Sequence, residues 1–495
     1  MNKKLKFITL LGVLALASCG NSGSGENGGG STPGGTTSRD EQKETIIDKW
    51  WTNTGEIIKN GDGSIDFDEV TIKLSTVVSG EDLSVFEEII QTFNNEYSGR
   101  INVQATSINQ TQFEETVSGQ ISQDINSPDL IMSHQKGHRA FATAKLIRPF
   151  DDVVEESGIT LDVKRDYVNG LSKYSDLNYA GYTFGVPADM QSVVVYYNKA
   201  ILNELNLELP TSRSEFLEAC KAFKQTKGGY PIAWDSEEVF FKNYVAMTSF
   251  AQNGVQYYKN DKYVDWSNSD NMNAITNGLD AMRELATLGY ANMSMSGSVA
   301  NNNFCQDKAL FYFYMPWNAN TLFESFRPTH GNVSISQIKS DYVGGYSMAG
   351  LFAKDASKDY SQRIFGDSHF FALTKTCEDF TKQAAALTFV KWFTENGEIG
   401  AQWAEAGHGS ASTIITSSNE YTDNEFVSDY ISAFYPDSNA FITAGNNEYY
   451  KEVFTDGLFR VFVELKDKTD SSNDESVIRR IEGSVNEMIE FLEDE

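Results

Sequence analysis

The alternation of periodicities between residues 70 and 132 constrains the fold of this 495-residue chain more than any other feature. Val70, Ile72, Leu74, Thr76 and Val78 repeat at every second position, the period of a half-buried strand. Phe86, Ile89, Ile90, Phe93 and Tyr97 then recur at helical spacing. Ile101, Val103 and Ala105 alternate again, a polar helix carrying Phe113, Val117 and Ile121 follows, and Pro128-Asp129-Leu130-Ile131-Met132 has the short apolar character of a buried strand. Strands alternating with helices predict an α/β fold built on a parallel sheet with covered faces. Ligands of such sheets sit at the carboxyl ends of strands. The loops Ser79 to Asp82 and Ser133 to Gly137 are therefore the first candidate sites, with Glu81, Asp82, His134 and Gln135 as ligand-binding residues.

Farther on, Tyr182 to Lys199 reads Tyr-Thr-Phe-Gly-Val-Pro-Ala-Asp-Met-Gln-Ser-Val-Val-Val-Tyr-Tyr-Asn-Lys: a strand, a polar turn and a β-branched strand. This segment resembles the "Tyr-Gly-Val-Pro … Tyr-Tyr-Asn-Lys" passage of family 1 extracellular solute-binding proteins, the group of maltose-binding and other sugar receptors. The resemblance continues in order along the chain. Pro210 to Phe216 is similar to the family's "Pro-Pro-Thr-Trp-Asp-Glu-Leu" helix start, and Ser212 with Glu215 independently forms a capping box. Phe304, Lys308, Ala309 and Trp317 resemble its "Phe … Gly-Lys-Ala-Ala-Met … Gly-Trp", and Gly366 to Lys375 its second crossing strand. Trp392 sits in a segment like its "Ala … Phe-Leu-Trp-Phe-Leu" helix, and with Phe389 on the same face it is expected in the core. Three departures stand out: Asp307 where the family often has Gly, Pro316 where it often has Gly or Ser, and no Trp near position 214.

The resemblance implies a two-lobed periplasmic-binding-protein fold of type II, each lobe a sheet flanked by helices and the lobes joined by crossing strands. Lobe one is placed at 67–192 plus 374–406 and lobe two at 200–363 plus 412–495. Within the last stretch, Val477, Ile481, Val485, Met488 and Leu492 form one apolar helical stripe. The implied function is to bind a sugar or oligosaccharide in the cleft and deliver it to the permease of an ABC importer, as a monomer without a cofactor. A sugar offers apolar C–H faces and hydroxyl edges, so its receptor needs aromatic platforms and polar acceptors. In the expected loops these are Asp189 and Gln191 in the first crossing, Trp234 and Asp235 at the end of a short strand from Tyr230 to Trp234, and Trp317 and Asn318 after an aromatic run. Asp367 and His369 lie in the second crossing, and Trp403 and His408 near the third. Alternatives on the same fold are a surface adhesin or sensor lipoprotein and a receptor for another solute such as a polyol phosphate. The scarcity of Arg in these loops speaks against a phosphate.

The amino terminus sets the compartment. Lys3, Lys4 and Lys6 precede an apolar run from Phe7 to Ala17 that is too short to span a bilayer, as in a secretory leader over 1–18. Leu16-Ala17-Ser18-Cys19 resembles a bacterial lipobox, which implies diacylation of Cys19 and a cell-surface protein held to the plasma membrane by lipid alone. Gly20 to Ser38 has the composition of a flexible tether, and the linker is taken as 19–45. Gly23, Gly25 and Gly28 match a dinucleotide fingerprint only in spacing, with neither strand before nor helix after.

A net charge of -29 argues against nucleic acid as a partner. Cys220, Cys305 and Cys377 have neither disulfide arithmetic nor zinc spacing, so three buried thiols and no metal are expected. P-loop, G-x-S-x-G and H-E-x-x-H patterns are missing and the five histidines are scattered along the chain, so no enzyme is expected. Residues 60–69 match a calcium loop from its third position to its twelfth, but Ile58 replaces the first carboxylate, and a polar turn is expected there. Trp50 and Trp51 fall outside every motif.

Overall fold

The computed structural model describes residues 49–172, 182–235, 241–256, 258–259, 262–263, 269–434 and 440–443. The leader, Cys19, the tether and the stripe from Val477 to Leu492 lie outside them.

The periodic opening folds as its spacing predicts. Strand β1 (Val70–Thr76) is followed by α1 (Glu81–Glu96), β2 (Ile101–Ser107), α2 (Phe113–Gln123) and β3 (Leu130–His134). Phe86, Ile89, Ile90 and Phe93 form the buried face of α1, each worth roughly 1.5–3 kcal/mol relative to exposure. Helix α3 (Gln135–Thr143) begins directly after β3, so His134 and Gln135 occupy a strand end and a helix start, where the sequence reading has a loop. Strands β4 (Ile147–Arg148) and β5 (Val186–Pro187) come next.

The chain then enters a crossing strand β6 (Asp189–Met190) and a second sheet, made of β7 (Val194–Asn198), β8 (Ile232–Trp234), β9 (Phe311–Tyr314) and β10 (Val343–Tyr346). It returns through β11 (Ile364–Phe365) and β12 (His369–Thr374), packs α4 (Phe380–Glu395) and α5 (Gly397–Glu405), and crosses again at β13 (Gly409–Ser410). The last described strand is β14 (Phe441–Ile442).

The first sheet has the order β2-β1-β3-β12-β4, with β5 also on β12. Its β1 pairs are parallel, as expected, but β12 runs antiparallel to β3, β4 and β5. The expected parallel sheet is thus mixed, because β12 is supplied by chain returning from the second sheet. The second sheet has the order β10-β7-β9-β8, parallel only between β9 and β8. Strand alternation divides its residues between two cores: Val193 and Val195 face one, Val194 and Tyr196 the other. Two short pairs lie between the sheets, β6 with β13 and β11 with β14, and Gln191 bridges to Asp367.

Trp50 and Trp51 acquire a role here. Trp51 is buried against Tyr182 and Phe184, Trp50 stacks on Phe184, and their ring N–H groups donate to Asp152 and to the Ile147 carbonyl. The segment at 50–54 is thereby strapped onto the outer face of the first sheet, where Thr54 bridges to Asp379. Trp392 departs from its expected core position: Phe389 is fully buried, but Trp392 is only half-buried, edge-on to Phe93 with its N–H on Glu96. Cys220, Cys305 and Cys377 are buried and form no disulfide among the described residues. At residues 60–69 the Asp62 carboxylate accepts from Ser64 N–H and Oγ, closing a tight turn.

Candidate functional site

The three crossings bring together a polar cluster centred on Asp189. Asp189 lies on β6, His369 begins β12, and His408 immediately precedes β13. The Asp189 side chain has no solvent exposure. Its Oδ2 accepts from Nδ1 of His369 at 2.7 Å and from the Trp403 indole at 3.0 Å, while Oδ1 accepts from the His369 backbone N–H at 2.8 Å. Nδ1 of His408 lies 3.5 Å from Oδ2, and its Nε2 meets Asp82 of α1 at 3.1 Å. Trp403 stacks on the His408 ring at 4.3 Å between centroids, and the Trp317 ring lies near parallel to it at 6.2 Å. Gln191 reaches His369, and His134 meets Asp367 at 3.1 Å with its ring 4.7 Å from that of His369.

The charges in this cluster are mutually dependent. Burial by itself would push the Asp189 pKa up, but the charge and hydrogen bond of His369 and the charge of His408 overcome it and hold the carboxyl far below its ordinary range. For His369, burial would lower the pKa, and the Asp189 carboxylate outweighs it, leaving the imidazole more basic than usual. Gly407 lets the crossing pass this closely: its φ is 94°, and a Cβ there would fall 2.2 Å from the backbone nitrogen of Trp317.

Beside the cluster, at the carboxyl ends of β8 and β9, is a cavity of about 300 Å3. Asp235, Asn318, Tyr312, Tyr314, Ser298 and Asn301 are among its walls. Gly297 opens the helix Gly297–Cys305 against the Asp235 carboxylate, which a Cβ would meet at 2.1 Å. At its rim, Thr321 donates to Glu81 of α1 at 3.3 Å, a contact between elements of the two sheets.

The residues singled out in the sequence therefore divide. Asp82, His134, Asp189, Gln191, Asp367, His369 and Trp403 gather at the crossings. Asp235 and Asn318 line the cavity, and Glu81 and Trp317 lie between the two groups. Gln135 is buried behind His134, its N–H bonded to the Ser368 carbonyl. Trp234 is fully buried in the second core against Phe313 and donates to the Asn292 carbonyl, so it supports the cavity wall from behind. His134, His369 and His408, scattered in sequence, converge in space. His408, read from the sequence as a candidate polar group near the third crossing, joins the crossing cluster beside Asp189. Ser298, Asn301 and Thr321 had no signal, since isolated small polar residues in helices are common.

A family model described as bacterial extracellular solute-binding protein matches residues 78–399, well over half of the chain. Curated protein sequences give no match. Among solved structures, the sugar-binding protein MalE of Xanthomonas citri superposes with a TM-score of 0.67 at 16% identity, covering 86% of this chain and 100% of that one. The GacH receptor of Streptomyces glaucescens, solved unliganded and with acarbose, gives 0.63 at 14% identity over 85% and 99% of the two chains. An ABC substrate-binding protein of Listeria monocytogenes in complex with cycloalternan gives 0.60 at 14% identity over 85% and 99%. Identities this low establish a shared fold, and the fold they share is the maltose-binding-protein-like pair of lobes joined by crossing strands. Together with the family match, they make this chain a member of the bacterial extracellular solute-binding proteins.

Proposed function

We propose that the protein captures a carbohydrate between its two sheets and presents it to the permease of an ABC importer, held at the cell surface by lipid on Cys19. The observation that carries this reading is the cavity at the carboxyl ends of β8 and β9, where the half-buried Tyr314 stands beside the polar groups of Asp235 and Asn318. Aromatic faces suit the apolar side of a sugar ring, and carboxylate and amide groups suit its hydroxyls. A volume of about 300 Å3 is at the small end for small-molecule sites, which favours one or two sugar rings inside the cleft. The structural neighbours bind maltotetraose, acarbose and cycloalternan, which supports the sugar class.

Solute that touches both Glu81 of α1 and the cavity wall binds the closed form better than the open one, so closure follows from differential affinity. The protein binds without transforming its cargo, and an ATPase elsewhere supplies the energy of transport.

A thermal-shift screen of residues 45–495 against mono- and oligosaccharides, polyol phosphates and peptides tests the ligand class. A sugar present at about a hundred times its Kd stabilises the fold by ~2.7 kcal/mol, a clear rise in Tm. Stabilisation by a non-sugar class, with every sugar silent, would overturn the carbohydrate reading. Radiolabelled palmitate incorporation that disappears in Cys19→Ser tests the anchor separately; equal labelling of both proteins would exclude it.

A further inference from the structure

We propose that Asp189, His369 and His408 form a binding site for a divalent transition ion of the zinc class, a metal clasp at the point where the three crossings meet. The first ground is geometric. One carboxylate oxygen and one nitrogen from each imidazole lie within 4.8 Å of one another, and all three side chains are buried. Zinc holds such ligands at about 2.0–2.2 Å, which places tetrahedral neighbours ~3.3 Å apart. The Asp189 Oδ2 distances of 2.7 Å to His369 and 3.5 Å to His408 bracket that value.

The second ground is a buried ring nitrogen left without a hydrogen bond. Nδ1 of His369 faces both the Asp189 carboxylate at 2.7 Å and the Gln191 amide nitrogen at 2.8 Å. Gln191 also lies 3.3 Å from Nε2 of His369, so its amide can donate to that lone pair while Nδ1 serves Asp189. Nδ1 of His408 points at the same carboxylate, and among the described residues it has no hydrogen-bond partner although His408 is only 3% exposed. Buried polar atoms in this state are uncommon and call for an explanation. A cation accepting the lone pair of His408 Nδ1, with Asp189 and His369 completing its shell, accounts for that atom. Turning the Gln191 amide over brings its oxygen to face the same centre as a fourth ligand; that choice of orientation changes no heavy-atom position.

The third ground is the surrounding support. Nε2 of His408, the nitrogen away from the centre, lies 3.1 Å from Asp82, the carboxylate–histidine–metal relay that fixes the tautomer of metal-bound imidazoles. The Trp403 indole orients Asp189 and its ring stacks flat on His408. The ligand set of two imidazoles and a carboxylate suits zinc, cobalt or manganese rather than calcium or magnesium, which prefer oxygen alone. Because each ligand belongs to a different crossing, an ion there ties together the strands about which the lobes turn.

The test uses the untagged mature chain, stripped with a chelator, dialysed against zinc and analysed for bound metal without any sugar, so that it is independent of the carbohydrate reading. The expected result is one zinc per chain, and visible d–d absorption when cobalt is substituted. His408→Gln loses the metal, and Asp82→Asn, a change at the edge of the cluster, weakens binding about 10–100-fold. A wild-type chain that retains no zinc and gives no cobalt spectrum overturns the proposal. So does metal binding of unchanged affinity in folded Asp82→Asn and His408→Gln, since the ion would then sit elsewhere. If His408→Gln does not fold, the affinity of Asp82→Asn decides.

Discussion

The crossing cluster and the second-sheet cavity lie side by side but are built on opposite principles. In the cluster, charged and polar groups are packed together out of water, and Asp189 alone receives three hydrogen bonds from His369 and Trp403. In the cavity, aromatic side chains enclose open volume and polar groups such as Asn318 are half-exposed. A buried charge network is worth little net stability when intact and is costly when one member is removed. An open cavity is the reverse, since its polar groups are solvated without solute. The contrast teaches that residues chosen for one chemistry, sugar hydroxyl recognition, serve two ends here: Asp189 and His369 hold the crossings in register, whereas Asp235 and Asn318 face the space a solute can enter.

The largest effect that would break this comparison is the loss of Asp189. Asp189→Ala strands buried donors of His369 and Trp403 and is expected to cost about 3–5 kcal/mol in chemical denaturation. A loss below ~1 kcal/mol would mean that the cluster is not structural.

Next in size is an acid response on the first-sheet side. His138 of α3 is fully buried beside Phe370, and burial pushes its pKa down to about 3. Its ordinary value is 6.5, so between those limits the unfolded chain binds a proton that the folded one refuses. Stability therefore rises with pH across that window and is fully present above it. At about 1.4 kcal/mol per unit, roughly 2 kcal/mol is lost between pH 6.5 and pH 5. Denaturation of His138→Leu at the two pH values should show a correspondingly flatter dependence; parallel slopes in the two proteins would remove His138 as the cause.

The smallest effect sharpens the comparison from the cavity side. Asn318→Ala should leave stability within about 0.5 kcal/mol of wild type and weaken sugar binding by about 1 kcal/mol, roughly fivefold. Calorimetry showing full affinity in this variant would move the solute away from the second-sheet wall.

The opening α/β repeat was legible because each buried position recurs at a fixed local period, from Ile72 and Leu74 on β1 to Phe86 and Phe93 on α1. The family motifs extended that reading across the crossings. What local pattern could not convey is which distant segments meet. Asp189, His369 and His408 are far apart in the chain, and no spacing rule brings them within 4.8 Å. Trp50 and Trp51 read as an orphan pair because Phe184, Tyr182 and Ile147, which receive them, lie far along the chain, 97 residues on for Ile147 and farther for the other two. Trp234 illustrates a different limit: a strand-final aromatic has the same signature whether it faces a cleft or a core, and here it faces the core. Asp307 carries the lesson of a departure explained. It adopts φ of 58°, a conformation that glycine takes without strain, and Asn198 steadies its carboxylate at 2.6 Å.

The tryptophan strap at 50–54 also decides how a tethered molecule handles force. Among the described residues it fastens the start of the chain to the first sheet, so tension from an amino terminus anchored as proposed would enter through that half. Under the proposed lipid anchor and closure, the first half would be the stator and the second the rotor, one keeping its bearing toward the membrane while the other swings about the crossings. With a lipid on Cys19, the moving half is the one carrying the cavity, so the cargo travels with the rotor at every opening and closing.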